Sequence, residues 1–150
     1  MTTLTALLFF LSALALCAVK RVPAGQVYSV YRHGKLSRLL QPGVHWVLPL
    51  VDRISHRMDL GGRVLRFEEP LADACDVRGT VYWQVLEPER ADAVIEQADQ
   101  LIRRGALEAL HGEEPAAADR RALGMQLKQR LNGVLRERGV MVTRVELDFA

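Results

Sequence analysis

Only two cysteines occur in 150 residues, Cys17 and Cys75. That is too few for a disulfide framework, and neither sits in the Cys-x2-Cys or His-x3-His spacing that would hold zinc. The four histidines, His33, His45, His56 and His111, are scattered along the chain. No serine lies in a nucleophile elbow, and Gly61-Gly62 falls between strand patterns rather than before a helix, which excludes a phosphate loop. Glu68-Glu69 and Glu113-Glu114 are neighbours in turns, the pattern of solvated carboxylates rather than of an acid–base pair. Aromatics make up 6% of the chain, too few beside the scattered basic residues for a nucleic-acid face. These absences point away from an enzyme, a cofactor, a metal and a nucleic-acid partner.

Charge is missing from the first 19 residues as well. From Leu4 to Val19 only Thr5 and Ser12 are polar. Sixteen helical residues rise about 24 Å, and the run from Met1 about 28 Å, against a hydrocarbon core of roughly 30 Å. Lys20 and Arg21 follow. A secretory signal carries its positive charge before the apolar run, whereas here it lies after it. The expectation is an uncleaved, single-pass anchor over residues 1–21 with the domain, residues 22–150, on the cytoplasmic side. Export with cleavage near Ala15, or the opposite topology, is the alternative.

The net charge of +2 hides a strong partition. Residues 22–66 carry seven bases against two acids, residues 67–119 four against 13, and residues 120–150 seven against three. With Lys20 and Arg21 the anchor-proximal part is strongly basic, which suits an anionic leaflet.

Beyond the apolar run, hydrophobic periodicity predicts an α+β domain. Gln26–Arg32 and Lys35–Leu40 alternate as two strands around His33-Gly34, a tight-turn pair. Pro42-Gly43 opens an apolar, proline-bracketed loop, Val44 to Val51. Strand patterns follow at Ile54–Leu60, Arg63–Glu68 and Val77–Leu86, with Cys75 in a loop. Apolar residues at helical spacing from Ala91 to Leu110 predict one helix. A loop at residues 111–115 leads to a second helix, capped by Asp119 and buried along Leu123, Leu127, Leu131, Val134 and Leu135. Gly139 ends that helix. A last strand, Val140–Phe149, places Met141, Thr143, Val145, Leu147 and Phe149 on one side and Arg144, Glu146 and Asp148 on the other.

Five segments together resemble the stomatin/prohibitin/flotillin group, the SPFH or Band 7 domain. They are Val22-Pro23-Ala24-Gly25-Gln26; Tyr31-Arg32-His33-Gly34-Lys35; Gln41-Pro42-Gly43-Val44-His45-Trp46-Val47-Leu48-Pro49-Leu50-Val51-Asp52; the strand exit Thr80 to Glu89; and Val142 to Leu147. The third is the most specific. The stretch Leu71–Arg78 is shorter than the strand pair usual in the group. The resemblance implies a single SPFH/Band 7-like domain, an antiparallel sheet with two or more helices after a membrane-anchor helix. It further implies a non-enzymatic scaffold that binds membrane lipids, itself or other SPFH proteins, organising microdomains or modulating a membrane protease. Members of the group continue into an Ala/Glu-rich coiled coil. The given sequence reaches Ala150 without one, so an accessory subunit docked on a full-length relative is the alternative. An exported ligand-binding protein or small enzyme is a third reading.

The site expected from these residues is a membrane contact through Val44, Trp46, Val47, Leu48, Leu50 and Val51. Trp46 suits the interface, and Lys20, Arg21, Arg53 and Arg57 form a basic flank that meets headgroups.

Overall fold

The computed structural model describes residues 1–71, 75–111 and 119–149. The chain divides into two compact units, residues 1–59 and 60–150. Both are built from antiparallel strands and helices, an α+β architecture.

The first unit opens with helix α1, Thr2–Ala18. Its 17 residues rise about 25 Å, and among the described residues no helix is long and apolar enough to cross a membrane. The structure therefore does not support a single-pass anchor. The chain passes without a linker from α1 into strand β1, Val19–Val22, so Lys20 and Arg21 belong to a strand rather than to a helical flank. β1 pairs antiparallel with β4, Gly43–Trp46. The expected apolar loop is thus a strand in its first half.

Strands β2, Gln26–Arg32, β3, Lys35–Leu40, and β5, Asp52–Asp59, form a second sheet in the order β3-β2-β5. His33 and Gly34 both take positive φ, 53° and 77°, which lets a two-residue turn match the twist of β2 and β3. The ladder between β2 and β5 shifts register at Ser29/Val30. At that step the buried Ser29 hydroxyl accepts the His56 N–H at 3.0 Å, supplying a polar partner where the pairing is irregular. Val22, Tyr28, Val30, Leu40 and Val47 form the core, with Ile54 packed against them.

In the second unit, strands β6, Arg63–Leu71, β7, Cys75–Val85, and β8, Val140–Phe149, run in the order β6-β7-β8. β6 and β7 are longer than expected, and Cys75 starts β7 rather than lying in a loop. Pro70 is accommodated because β6 is an edge strand. The short helix α2, Pro88–Ala91, is followed by residues 92–97, which form turns closed by three-residue hydrogen bonds, Val94 N–H to Ala91 and Gln97 N–H to Val94. Helix α3 then runs Ala98–His111. The single helix expected from Ala91 is interrupted where β-branched Val94 and Ile95 stand side by side, a local choice that weakens helix. The loop expected at residues 111–115 lies outside the described residues after His111.

Helix α4, Arg120–Leu135, is capped by Asp119, whose carboxylate accepts the Arg121 N–H at 3.2 Å. Leu123, Leu127, Leu131 and Leu135 are buried, whereas Val134, expected on the same face, is exposed. A 3-10 turn, Arg136–Arg138, ends at Gly139 in the left-handed conformation. Along β8 the buried residues are Val140 and Val142, then Leu147. The expected single face fails because a bulge opposite Tyr82/Trp83 adds one residue and flips the alternation. Asn132 on α4 grips Val142 by both backbone groups, at 2.8 and 3.0 Å. Phe67 on β6 lies across Gly79 on β7, and a Cβ at position 79 would fall 2.1 Å from its ring.

Gly79→Ala is therefore expected to destabilise the protein by about 1–3 kcal/mol. Gly133→Ala, on α4 with open space around it, is expected to stabilise by about 0.5–1 kcal/mol through helix propensity. Urea denaturation followed by circular dichroism measures both; equal stability of the two variants would refute the role of the Phe67 ring.

Candidate functional site

Period-two alternation gives the β1–β4 ribbon two unlike faces. Val22 and its side of the ribbon join the core, while Val19 opposite Trp46 and Arg21 opposite Val44 point away from it. Val44 and Trp46 are 66% and 65% exposed. The chain then bends through Leu48-Pro49-Leu50-Val51, where Leu48, Leu50 and Val51 are exposed too, Leu50 to 89%. Val47 differs from its neighbours: it is buried in the core, and its N–H bonds the Ala18 carbonyl at 2.7 Å. Of the six expected contact residues, five share the exposed surface and Val47 is a core residue. The reason is that Val47 sits on the opposite side of the alternation from Trp46 and Leu48.

What holds this bend is Asp52, whose side chain is 1% exposed. Its carboxylate accepts from Arg32 Nε at 2.8 Å and from the Leu48 N–H at 3.2 Å, with Arg38 at 3.9 Å. The backbone closes the same turn, since the Leu48 carbonyl accepts the N–H groups of Val51 and Asp52 at 3.3 and 2.9 Å. Arg38 also donates to the Trp46 carbonyl. Strands β2 and β3, the end of β4 and the bend therefore meet at one carboxylate. The hydrogen bond from Arg32 holds Asp52 below the usual carboxylate range despite its burial, and Asp52 in turn raises Arg32. His45 meets the Gln41 carbonyl through a ring nitrogen at 2.6 Å, steadying the start of β4.

The basic flank is not brought together. Lys20 and Arg53 line one cleft of about 390 Å³ with Cys17, Val47, Pro49, Asp52 and Ile54. Arg21 lies on the outward ribbon face. Arg57 packs over the Tyr28 ring at 5.3 Å. The register shift in β5 puts Arg53 and Arg57 on opposite faces of the sheet, although four-residue spacing in an unbroken strand would align them.

Around α1 nothing in the described residues covers the apolar surface. Leu4, Leu7, Leu8, Phe9, Phe10, Leu11, Leu14 and Leu16 are all exposed, and they lie all round the helix; Ala18 alone is buried. In the sequence Arg32 and Asp52 belong to two separate motifs, and neither motif alone pairs them. The signal was present: an Arg before a hairpin turn and an Asp at the end of an apolar run, on strands whose lengths bring them opposite. Among the described residues, no group of three or more His, Cys, Asp or Glu could hold a metal ion.

Comparison with known proteins agrees with this arrangement of segments. A sequence profile of the SPFH domain / Band 7 family matches residues 20–148. An uncharacterized protein of Schizosaccharomyces pombe is 28% identical over 140 residues, covering 86% of this chain and 40% of that protein. Stomatin-like protein 2, mitochondrial, of Homo sapiens is 26% identical over 97 residues, 61% of this chain and 27% of its own length. The mouse protein of the same name, from Mus musculus, matches equally, at 26% over 97 residues. The chain thus spans well under half the length of these relatives.

Asp52→Asn is expected to destabilise by about 1–2 kcal/mol, the loss of charged hydrogen bonds discounted for the exposure of Arg32. Because Asp52 titrates below its unfolded value of about 3.9, its contribution is complete above that pH and disappears as pH falls through the folded value. Urea denaturation of both proteins should show a constant gap at pH 7 and 5 and a smaller one at pH 3. A gap independent of pH would contradict the ion pair.

Proposed function

The chain belongs to the SPFH domain / Band 7 family, and from that premise we propose that it is a membrane-bound, non-enzymatic scaffold. It attaches by embedding α1 and by resting the Trp46–Val51 surface on the same leaflet. The observation that carries this reading is the continuity of exposed apolar surface from α1 onto the outward face of the β1–β4 ribbon and the bend beyond it.

A helix apolar on every side does not lie in the interface as an amphipathic helix does; it inserts. At about 25 Å it stops short of crossing a core of about 30 Å. Insertion from one side, the cytoplasmic face, follows, with Lys20, Arg21 and Arg53 at headgroup depth and Trp46 at the interface. Arg57, held over Tyr28, takes no part. From this position the domain associates with itself or with other SPFH proteins, and binds membrane lipids and membrane proteins, a membrane protease among them. Family membership supports the scaffold role, and the charge partition along the sequence, acidic in the middle and basic on either side, supports self-association. Docking on a longer SPFH relative is the second reading.

The chain has two tryptophans, Trp46 exposed to 65% and Trp83 fully buried. On addition of vesicles of anionic phospholipid carrying brominated acyl chains, Trp46 emission is expected to shift to the blue and be quenched. Leu50→Glu should reduce that quenching at least about twofold, since a charge must then be held out of the hydrocarbon. Binding without quenching would sink the role of the bend but leave α1 as the attachment. Absence of binding by the full chain would sink the membrane reading. Light scattering in mild detergent tests self-association; a monomer that enters a larger complex only with a longer relative would favour the second reading.

A further inference from the structure

A second apolar surface lies in the other unit. Helices α3 and α4 cross closely at Gly105, where a Cβ would come within 2.8 Å of Leu131. Beside this crossing they diverge and leave a trench of about 350 Å³. Leu101, Gly105 and Ala109 line it from α3, spaced by four so that they share one helix face, and Leu131, Val134 and Leu135 line it from α4. The helices run antiparallel: Gly105 meets Leu131, and Ala109 lies by Leu127. Leu101 therefore faces the end of α4, and Arg138 stands at that end with Arg104 one turn along from Leu101. Neither guanidinium has a partner among the described residues. Glu108 and Arg130 stand toward the other end, where Arg130 is already engaged.

We propose that this trench binds a single-chain fatty carboxylate, its tail along Gly105, Ala109, Leu131 and Val134 and its carboxylate between Arg104 and Arg138. The apolar floor gives the tail a site, and the two unpaired guanidinium groups complement the one negative charge, bidentate donors suited to a carboxylate. From Leu101 to Ala109 the floor is about 12 Å long, the reach of a medium-length alkyl chain. The volume falls in the range of small-molecule sites. Val134, exposed to 63% on the trench wall, is the apolar group that such a ligand would cover. This site belongs to the second unit and does not depend on how the first meets a membrane.

Hydrogen exchange by mass spectrometry on the full chain tests it, with laurate below its micellar concentration as the probe and dodecanol as the neutral control. Laurate is expected to slow exchange in peptides from residues 98–111 and 120–135. Arg104→Gln with Arg138→Gln, both exposed positions, should raise the half-saturating laurate concentration about tenfold or more, the loss of a charged hydrogen bond or two, and leave that of dodecanol unchanged. Ala109→Trp should remove protection by both probes; exchange in β6–β8 shows whether each variant is folded. Equal laurate concentrations for the wild type and the arginine variant would overturn the proposal. So would protection confined to residues 2–18. Protection of α3 and α4 by a glutamate-rich amphipathic peptide, with none from laurate, would overturn it in favour of a protein partner.

Discussion

A carboxylate withdrawn from water must be neutralised where it lies, and in the first unit that requirement fixes the geometry of everything around Asp52. Arg32 reaches it from β2, Arg38 from β3, and the Leu48 N–H from the bend itself. None of these elements can shift without leaving a buried charge short of a partner. The exposed leucines of the bend are thus held in place by a polar hub beneath them rather than by hydrophobic packing. An apolar segment that owed its shape to apolar contacts would fold back on the core; this one is held out.

The same economy of means shows in the β1–β4 ribbon. One set of register pairs sends Val22 into the core and sets Val44 and Trp46 on the outer face. Core and exposed apolar surface are two sides of a single alternation, so a slip of one residue would exchange them. Val47 marks the point where the alternation returns to the interior. Its bond to the Ala18 carbonyl ties the last turn of α1 to the bend.

Much of this was legible from the chain. The hairpin at His33-Gly34, the Asp119 cap, the leucine stripe of α4 and the stop at Gly139 all follow from local chemistry, and local chemistry is what a sequence states directly. The errors share a different cause. β4 is hidden because its partner, β1, lies in what reads as the flank of an anchor, and strand pairing between residues more than 20 positions apart leaves no local mark. The single face expected along β8 fails past its bulge, and Arg53 and Arg57 of the expected basic flank part across the one in β5, because one unpaired residue shifts the alternation without altering the hydrophobic pattern. The helix before Leu110 kept its spacing in sequence through residues that form turns in space. In the site, the apolar run from Val44 to Val51 is evident from composition, whereas the ion pair under it joins two motifs and needs the fold to bring them together.

The direct passage from α1 into β1 has a mechanical meaning. A peptide linker between a helix and the sheet that follows it acts as a swivel, and here there is none: the residue that caps the helix is the first of a paired strand. With Val47 clamped to Ala18, a change in the tilt of α1 becomes a torque on the ribbon and so on the bend. The unit is built as a lever, α1 one arm and the ribbon with its bend the other, so that a force on the exposed apolar helix is delivered to the protein surface without slack.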